Sequence, residues 1–359
     1  MNPPPMNPLP MSPALSCGSE IRTAWEKYRA DNPTARAREA ALALGVSEGQ
    51  LVASLCDGGG ALRLRPDWPA FLTGLESLGR VMALTRNESC VIEKEGVYRS
   101  LTLIGPMMGH FTDPEIDLRL FLSHWTHLFA VETETPRGTQ RSLQVFDAQG
   151  NAVHKTHLRP VSDLAAFEAL RASLRDPDQS TDLVAKPAAA STAERPDASI
   201  DIDGFLAGWR AMKDTHEFFF LLRNFGVTRR QAMRLAAPEF VRTVAPDSVS
   251  TVLHGLSADE RKCMVFVGNP GCLEIHGGPV KKVVVMGEWL NVMDPGFNLH
   301  LRADHVAECF VVRKPTETGD VTSLELYDAG GEQIALLFGY RKGGEEEERA
   351  WVERMETLG

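Results

Sequence analysis

The segment with the most chemical content is GFLAGWRAMKDTHEFFFLLRNFG, part of a stretch that reads as one helix from Ile202 to Asn224. Helical spacing sets Phe205, Trp209, Met212, His216 and Phe219 or Phe220 along a single stripe, which puts an imidazole on an aromatic, apolar face. Two readings stand. One is a core histidine hydrogen-bonded to backbone; the other is a donor to a flat apolar ligand with a metal centre, for which haem is the natural candidate. Such a ligand also needs apolar walls and cations for two carboxylates. The second half offers Arg229 just after the Thr228 cap, Arg313-Lys314 leaving a strand, and Arg341-Lys342 after the last strand. Singly, each is more commonly a solvated surface charge.

Other chemistries find no support. The chain has no G-x-S-x-G, no H-E-x-x-H, no Walker loop and no G-x-G-x-x-G between a strand and a helix. The pairs His124-x-x-His127 and His154-x-x-His157 have metal-like spacing but lie in strand-like sequence. Residues three apart on a strand point to opposite faces, so neither pair chelates one ion there.

The elements that must position these residues recur twice. Residues 21–44 read as two helical pieces broken at Asn32-Pro33 and stopped by Gly45, and Ser47 caps a third helix. From about residue 80 the period changes to two, and VMALTRN, SCVIEK, VYRSLTLIG, LRLFLSHWTHLFAVETE and RSLQVFDA read as an antiparallel meander. Residues 176–201, rich in Pro, Ala, Ser, Thr and Asp with little to bury, read as a linker. The same order of helices and strands then returns. A shift of 181 gives nine identities in the 22 positions 129–150, including Phe129 with Phe310, Val131 with Val312 and Ser142 with Ser323, where unrelated sequence gives roughly one or two. At this shift Arg119 meets His300, and Thr133 meets Lys314.

The expected fold is therefore α+β, a tandem duplication of one domain with two large antiparallel sheets stacked and flanked by peripheral helices. Its expected parts are a disordered tail (1–20), an N-terminal repeat domain (21–177), a linker (178–200) and a C-terminal repeat domain (201–359). A cleft at the junction of the two copies is the expected site.

Composition narrows the class. The 359 residues carry 48 acidic and 38 basic side chains, a formal charge of -10, which argues against unspecific nucleic-acid binding. Six scattered cysteines without a C-x-x-C pair read as buried free thiols in a reducing cytoplasm. No apolar run is long enough to cross a bilayer, so an integral membrane protein is not expected. The Pro-broken N-terminal segment lacks the basic region of a signal peptide.

Several segments, in order and spacing, resemble the HemS/ChuS-type haemin-degrading and haem-trafficking family: EIDLRLFLSHW (115–125), WRAMKDTHEFFFLLRNFGVTRRQA, CMVFVGNPGC, VRKPTETGDVTSLELYD and the final IALLFGYR. The resemblance covers nearly everything from Ile21 to Leu358. It implies a cytoplasmic protein of bacterial haem uptake that holds one haem b, as ligand or substrate, between its two halves. It places the axial histidine, which is the iron ligand, on His216 and a distal arginine on Arg119. Cationic propionate and pocket contacts fall on Arg229, Lys314 and Arg341, and the apolar wall on Phe266 and Val312. The chain departs from the family pattern at Ile92, where members often carry histidine, and at Leu336 and Phe338, where glutamine and tyrosine are typical; the Phe338 ring can still stack on a ligand. Ligation by one histidine serves both storage and oxygen activation. The resemblance thus supports oxidative ring opening with an external electron donor, and equally a chaperone that takes haem from a membrane transporter and passes it to a separate haem oxygenase. A reading of another class is a non-haem interaction module built from two sheets.

Overall fold

The computed structural model describes residues 15, 17–58, 60–135, 138–187, 194–341 and 347–359. Most of the expected tail (1–14 and 16), the middle of the expected linker (188–193) and Lys342 lie outside the described residues. The chain opens with α1 (Gly18–Asp31), α2 (Ala37–Leu44), α3 (Glu48–Ala53), β1 (Ala61–Leu64) and α4 (Trp68–Leu75). Strands β2 (Val81–Arg86), β3 (Cys90–Gly96), β4 (Leu101–Ile104), β5 (Met108–Thr112) and β6 (Asp117–Phe121) follow. Then come β7 (His127–Thr135), β8 (Gly138–Phe146), β9 (Ala152–Leu158) and α5 (Leu164–Ser173).

The second half runs α6 (Ile202–Arg210), α7 (Glu217–Phe225), α8 (Arg229–Leu235), β10 (Val241–Val244) and α9 (Ser248–Ala258). It continues with β11 (Lys262–Asn269), β12 (Cys272–Pro279), β13 (Val283–Met286), β14 (Trp289–Asp294) and β15 (Phe297–Arg302). It ends with β16 (Glu308–Thr316), β17 (Gly319–Tyr327), β18 (Gln333–Gly339) and α10 (Arg349–Glu356). No helix among the described residues is long and apolar enough to cross a membrane, a statement about helices and not about strands.

Local signals explain most boundaries. Gly45, at φ 68°, ends α2 in the left-handed region that suits glycine. Ser47 and Gln50 bond each other's backbone N–H at the start of α3, and Thr228 caps α8 through Gln231 N. The first helix begins at Gly18, inside the stretch expected as tail, because Asp182 accepts the Gly18 N–H. The flanks of the expected linker are docked as well. The Gln179 amide pairs with both backbone groups of Arg63, Leu183 and Ile200 are buried, and Asp197 holds Arg234.

Contacts divide the chain into two compact units. One comprises the described residues of 1–71, 124–157 and 164–188; the other comprises those of 72–123, 158–163 and 189–359. In the first, strands run in the order β1-β7-β8-β9, and Phe129, Val131 and Phe146 pack with Val52, Ala53 and Leu183. In the second, a nine-stranded antiparallel sheet is ordered β10-β16-β17-β18-β11-β12-β6-β5-β4, and five further strands run β2-β3-β15-β14-β13. The α+β class with large antiparallel sheets and peripheral helices is as expected from sequence.

The second unit explains how the duplication is used. Each sequence repeat lends a meander to the other's strands: β6 of the first pairs with β12 of the second, and β15 of the second pairs with β3 of the first. Equivalent asparagines staple the exchange. Asn87 Nδ2 donates to the carbonyl of Gly268, and Asn269 Nδ2 donates to that of Arg86. The inner faces are apolar apart from one polar knot. There Lys94 Nζ donates to His276 Nδ1 (3.2 Å), whose ring stacks on Phe297 at 3.5 Å, close to the fully buried Glu274. Burial pushes the Glu274 carboxyl up to about 8, offset in part by the Thr85 hydroxyl and the Lys94 charge.

Two expected elements are broken. The strand expected through LRLFLSHWTHLFAVETE splits at a 3₁₀ turn, Leu122–His124, so that β6 and β7 belong to different units. The helix expected from Ile202 to Asn224 splits into α6 and α7. Asp214 Oδ1 accepts the His216 N–H and Glu217 Oε2 accepts that of Lys213, local bonds that compete with helix continuation.

Candidate functional site

The site is a matter of strand parity. Residues directly opposite in an antiparallel ladder share a face. Arg119 stands opposite Leu273, Gly268 opposite Leu273 and Phe266 opposite Ile275. Phe338 stands opposite Met264 and Ser323, and Ser323 opposite Val312. Arg119, Phe266, Phe338, Val312 and Lys314 therefore lie on one face of the nine-stranded sheet. The opposite face carries Leu118, Leu120, Val265, Val267, Leu324 and Leu337, all buried in the core.

Arg119 comes from the first repeat, yet it reaches this face as a strand of the same sheet within one compact unit. The two groups come from different repeats, as expected, but Arg119 is carried into the sheet of the second repeat rather than facing it from a separate lobe. The cause is the strand exchange, which sequence periodicity does not reveal.

Helices α6–α8 cover one end of the face. Phe205, Trp209, Met212 and Phe218 pack on Phe310, Val312 and Tyr327, and Trp209 stacks on Phe240 (5.0 Å) while its Nε1 donates to Arg313 O. Beyond the helices Met264, Phe266, Leu273, Leu336 and Phe338 are half-buried, an apolar floor with Phe266 and Phe338 in edge contact at 5.0 Å. From the strand of Phe338 to that of Arg119 is three strand spacings, roughly 14 Å.

His216 is the N-cap of α7, and its side chain is 91% exposed, so the expected continuous stripe does not exist. Phe205, Trp209, Met212 and Phe218 are buried, whereas Phe219 and Phe220 join His216 outside the core. The imidazole is nonetheless held. Its Nδ1 lies 2.5 Å from Asp214 Oδ1, and since a carboxylate only accepts, Nδ1 carries a proton, which leaves Nε2 as the nitrogen available to a metal. This is how metal-ligating histidines are oriented. Bonds from the His216 backbone N–H and ring hold the Asp214 carboxyl below its usual range, with a smaller contribution from the Arg341 charge. The loop is tied to the β16–β17 hairpin by the Glu317 N–H, which donates to Lys213 O.

Arg119 is half-exposed and pairs with Asp117 while donating to the Leu118 carbonyl. Burial pushes the Asp117 carboxyl up, and the guanidinium offsets this. His110, directly opposite Arg119, is a neighbour that the sequence did not mark.

Two expected ligand contacts are already engaged. Arg229 is bidentate to Glu325, with both bonds 2.9 Å, and Lys314 Nζ lies 2.6 Å from the same carboxylate. Lys314 is 3% exposed and Glu325 is fully buried. Glu325 and Asp214 were both missed in the sequence. The D-x-H spacing could have revealed Asp214; the apolar neighbours of Glu325 gave no hint of its two cations.

Other histidines are occupied by their surroundings. His300 Nδ1 meets Asn291, His305 Nδ1 meets Ser89, and burial pushes His154 down to about 3. Among the described residues no group of three or more His, Cys, Asp or Glu could hold a metal ion. Among the described residues none of the six cysteines forms a disulfide.

Comparison with known proteins places this architecture. Residues 45–174 and 226–358 match the haemin-degrading HemS.ChuX domain. The hemin transport protein HmuS of Yersinia pestis is 40% identical over 338 residues, 93% of this chain and 96% of that protein. The crystal structure of holo-PhuS, a heme-binding protein from Pseudomonas aeruginosa, superposes with a TM-score of 0.93 at 46% identity, covering 96% of this chain and 99% of that one. The heme degrading enzyme ChuS of Escherichia coli O157:H7 gives 0.88 at 35% identity, covering 95% and 99%. With both repeats matched and relatives of this identity aligned end to end, the chain belongs to the HemS family of haemin-degrading HemS.ChuX domain proteins.

Proposed function

We propose that this protein binds one haem b on the outer face of the nine-stranded sheet, in the bacterial cytoplasm, and opens it oxidatively to release iron. The observation that carries the reading is the exposed imidazole of His216, fixed through Nδ1 by Asp214, in the unit whose nine-stranded sheet presents an apolar, aromatic face. Bound haem would supply a redox-active iron, and with an external electron donor and oxygen that chemistry would fall on its own ring.

The chain's residues do the rest. His216 offers a neutral nitrogen, and Asp214 holds its ring and strengthens it as a donor. The apolar floor excludes water from one side. Arg119, always charged and a poor metal ligand, offers N–H donors that can hold a water or stabilise negative charge.

A second reading is a carrier that receives haem from a membrane transporter and yields it to a separate haem oxygenase. The openness of His216 favours easy release, and HmuS is named as a transport protein.

Haemin titration tests the first step. A saturable Soret shift ending at one equivalent is expected, and its absence leaves only a non-haem interaction module. Ascorbate is then added to the complex. Soret loss with a bilin product that persists in catalase supports degradation, whereas bleaching that catalase abolishes leaves the carrier. Asp214→Ala is expected to weaken haemin binding by about 10–100-fold while leaving stoichiometry at one, as loss of a ligand's supporting carboxylate does; an unchanged Kd would remove Asp214 from the site.

A further inference from the structure

We infer that Asp117 is a positioning residue for Arg119: it holds one nitrogen of the guanidinium and so reserves the other N–H donors for a small ligand on the far side of a bound haem iron. This rests on the haem reading above and names what orients the group that faces such a ligand.

The pairing runs along one strand. Residues two apart in β6 share a face, and Arg119 Nη1 donates both to Asp117 Oδ1 and to the Leu118 carbonyl (3.2 Å). Nη1 is thereby engaged twice, whereas among the described residues Nε and Nη2 make no hydrogen bond. The residues directly opposite do not compete for the guanidinium. Leu273 stands there on β12, and His110 on β5 bonds Thr112 Oγ1 through Nδ1 (2.9 Å). A charge at the end of a long, flexible side chain keeps one aim only where a partner fixes it. Here the dependence is mutual. Burial pushes the Asp117 carboxyl up, and the Arg119 charge and bond, then the His110 and Lys94 charges, offset this. A ligand that drew Arg119 away would leave a half-buried carboxyl without the bond that offsets its burial.

The fold does not impose this arrangement. At the 181-residue shift Asp117, Arg119 and His110 become Asn298, His300 and Asn291. There the bond runs across the ladder instead, from His300 Nδ1 to Asn291 Oδ1 at 2.7 Å, while Asn298 Nδ2 donates to Glu93 Oε2 on β3. A carboxylate stands beside the cation in the first repeat alone, and that copy shares a face with Phe266 and Phe338.

The experiment reads the C–O stretch of carbon monoxide bound to the dithionite-reduced haemin complex of the full chain, a measurement independent of turnover. A fixed positive N–H donor at the oxygen of carbon monoxide draws electron density into the C–O antibonding orbital and lowers the stretch. Arg119→Ala is expected to raise it. Asp117→Asn is expected to raise it more than half of the way to the Arg119→Ala value, and to add nothing in the Arg119→Ala background. The sign is diagnostic. A carboxylate that served only as a counter-charge would act oppositely, because its removal makes the field at the ligand more positive and lowers the stretch. A band that falls, stays, or rises less than half of the way in Asp117→Asn overturns the inference, as does an equal rise without Arg119. If Asp117→Asn does not fold, Asp117→Ser is read by the same outcomes. Failure of wild type to bind haemin fells the haem reading. Haemin binding with alike bands in wild type and Arg119→Ala removes Arg119 from the ligand and this inference with it, whereas a difference between those two that Asp117→Asn does not follow fells this inference alone.

Discussion

His216→Ala is expected to lower haemin affinity by more than about a hundredfold and to replace the spectrum of an imidazole-ligated iron. The magnitude follows from the ligand's place in the site, since removing even a ligand's supporting partner costs about 10–100-fold. The protein itself should be undisturbed. The side chain is 91% exposed and its ring bonds Asp214 at the surface, so stability should change by no more than about 0.5 kcal/mol, which urea unfolding can check. Added imidazole should restore the spectrum by occupying the vacated position. An unchanged Soret band and Kd would move the ligation elsewhere. His300 and His305 each already meet a polar side chain through Nδ1. A substitution at either that then abolished binding would replace His216 in the scheme.

The sequence carried this histidine for partly the wrong reason. Spacing placed it on a buried aromatic stripe, and Phe205, Trp209 and Met212 are indeed buried there. His216 itself escapes because Asp214 interrupts the helix, and the same interruption exposes the imidazole and orients it. Helix caps and strands were legible because Ser47, Thr228, Gly45 and the alternation along β16–β18 are local signals. The nine identities at one shift made the duplication legible too. What could not be read is long-range: that β6 leaves its own repeat to pair with β12, bringing Arg119 onto the same face as Phe266 and Phe338. Charge pairing was equally hidden. Arg229 and Lys314 look like open cations in the sequence, and only the β16–β17 register places Glu325 between them.

The polar knot between the strands of the second unit predicts the course of stability with pH. The Glu274 carboxyl has an ordinary value of 4.5 and a folded one of about 8, set first by burial. Between those two pH values the folded chain keeps a proton that the unfolded chain releases, so stability falls as pH rises through that window. His276 works in the opposite sense. Burial, with the nearby Lys94 charge, pushes it from 6.5 down to about 3, so the unfolded chain takes up a proton first and stability falls as pH drops below 6.5. The two slopes cancel between pH 4.5 and 6.5, and a decline follows from there toward 8. At about 1.4 kcal/mol per pH unit the Glu274 contribution has a ceiling of ~5 kcal/mol. Glu274→Gln keeps the shape and loses the titration. It is expected to match wild type near pH 5, to exceed it by a few kcal/mol at pH 8, and to show no decline above pH 6.5, as measured by urea unfolding across that range. A wild-type profile flat from pH 6 to 8, or a glutamine variant that keeps the decline, would mean that Glu274 is ionised in the fold and paired with Lys94. Removing it would then destabilise the protein at neutral pH, as breaking a buried ion pair does.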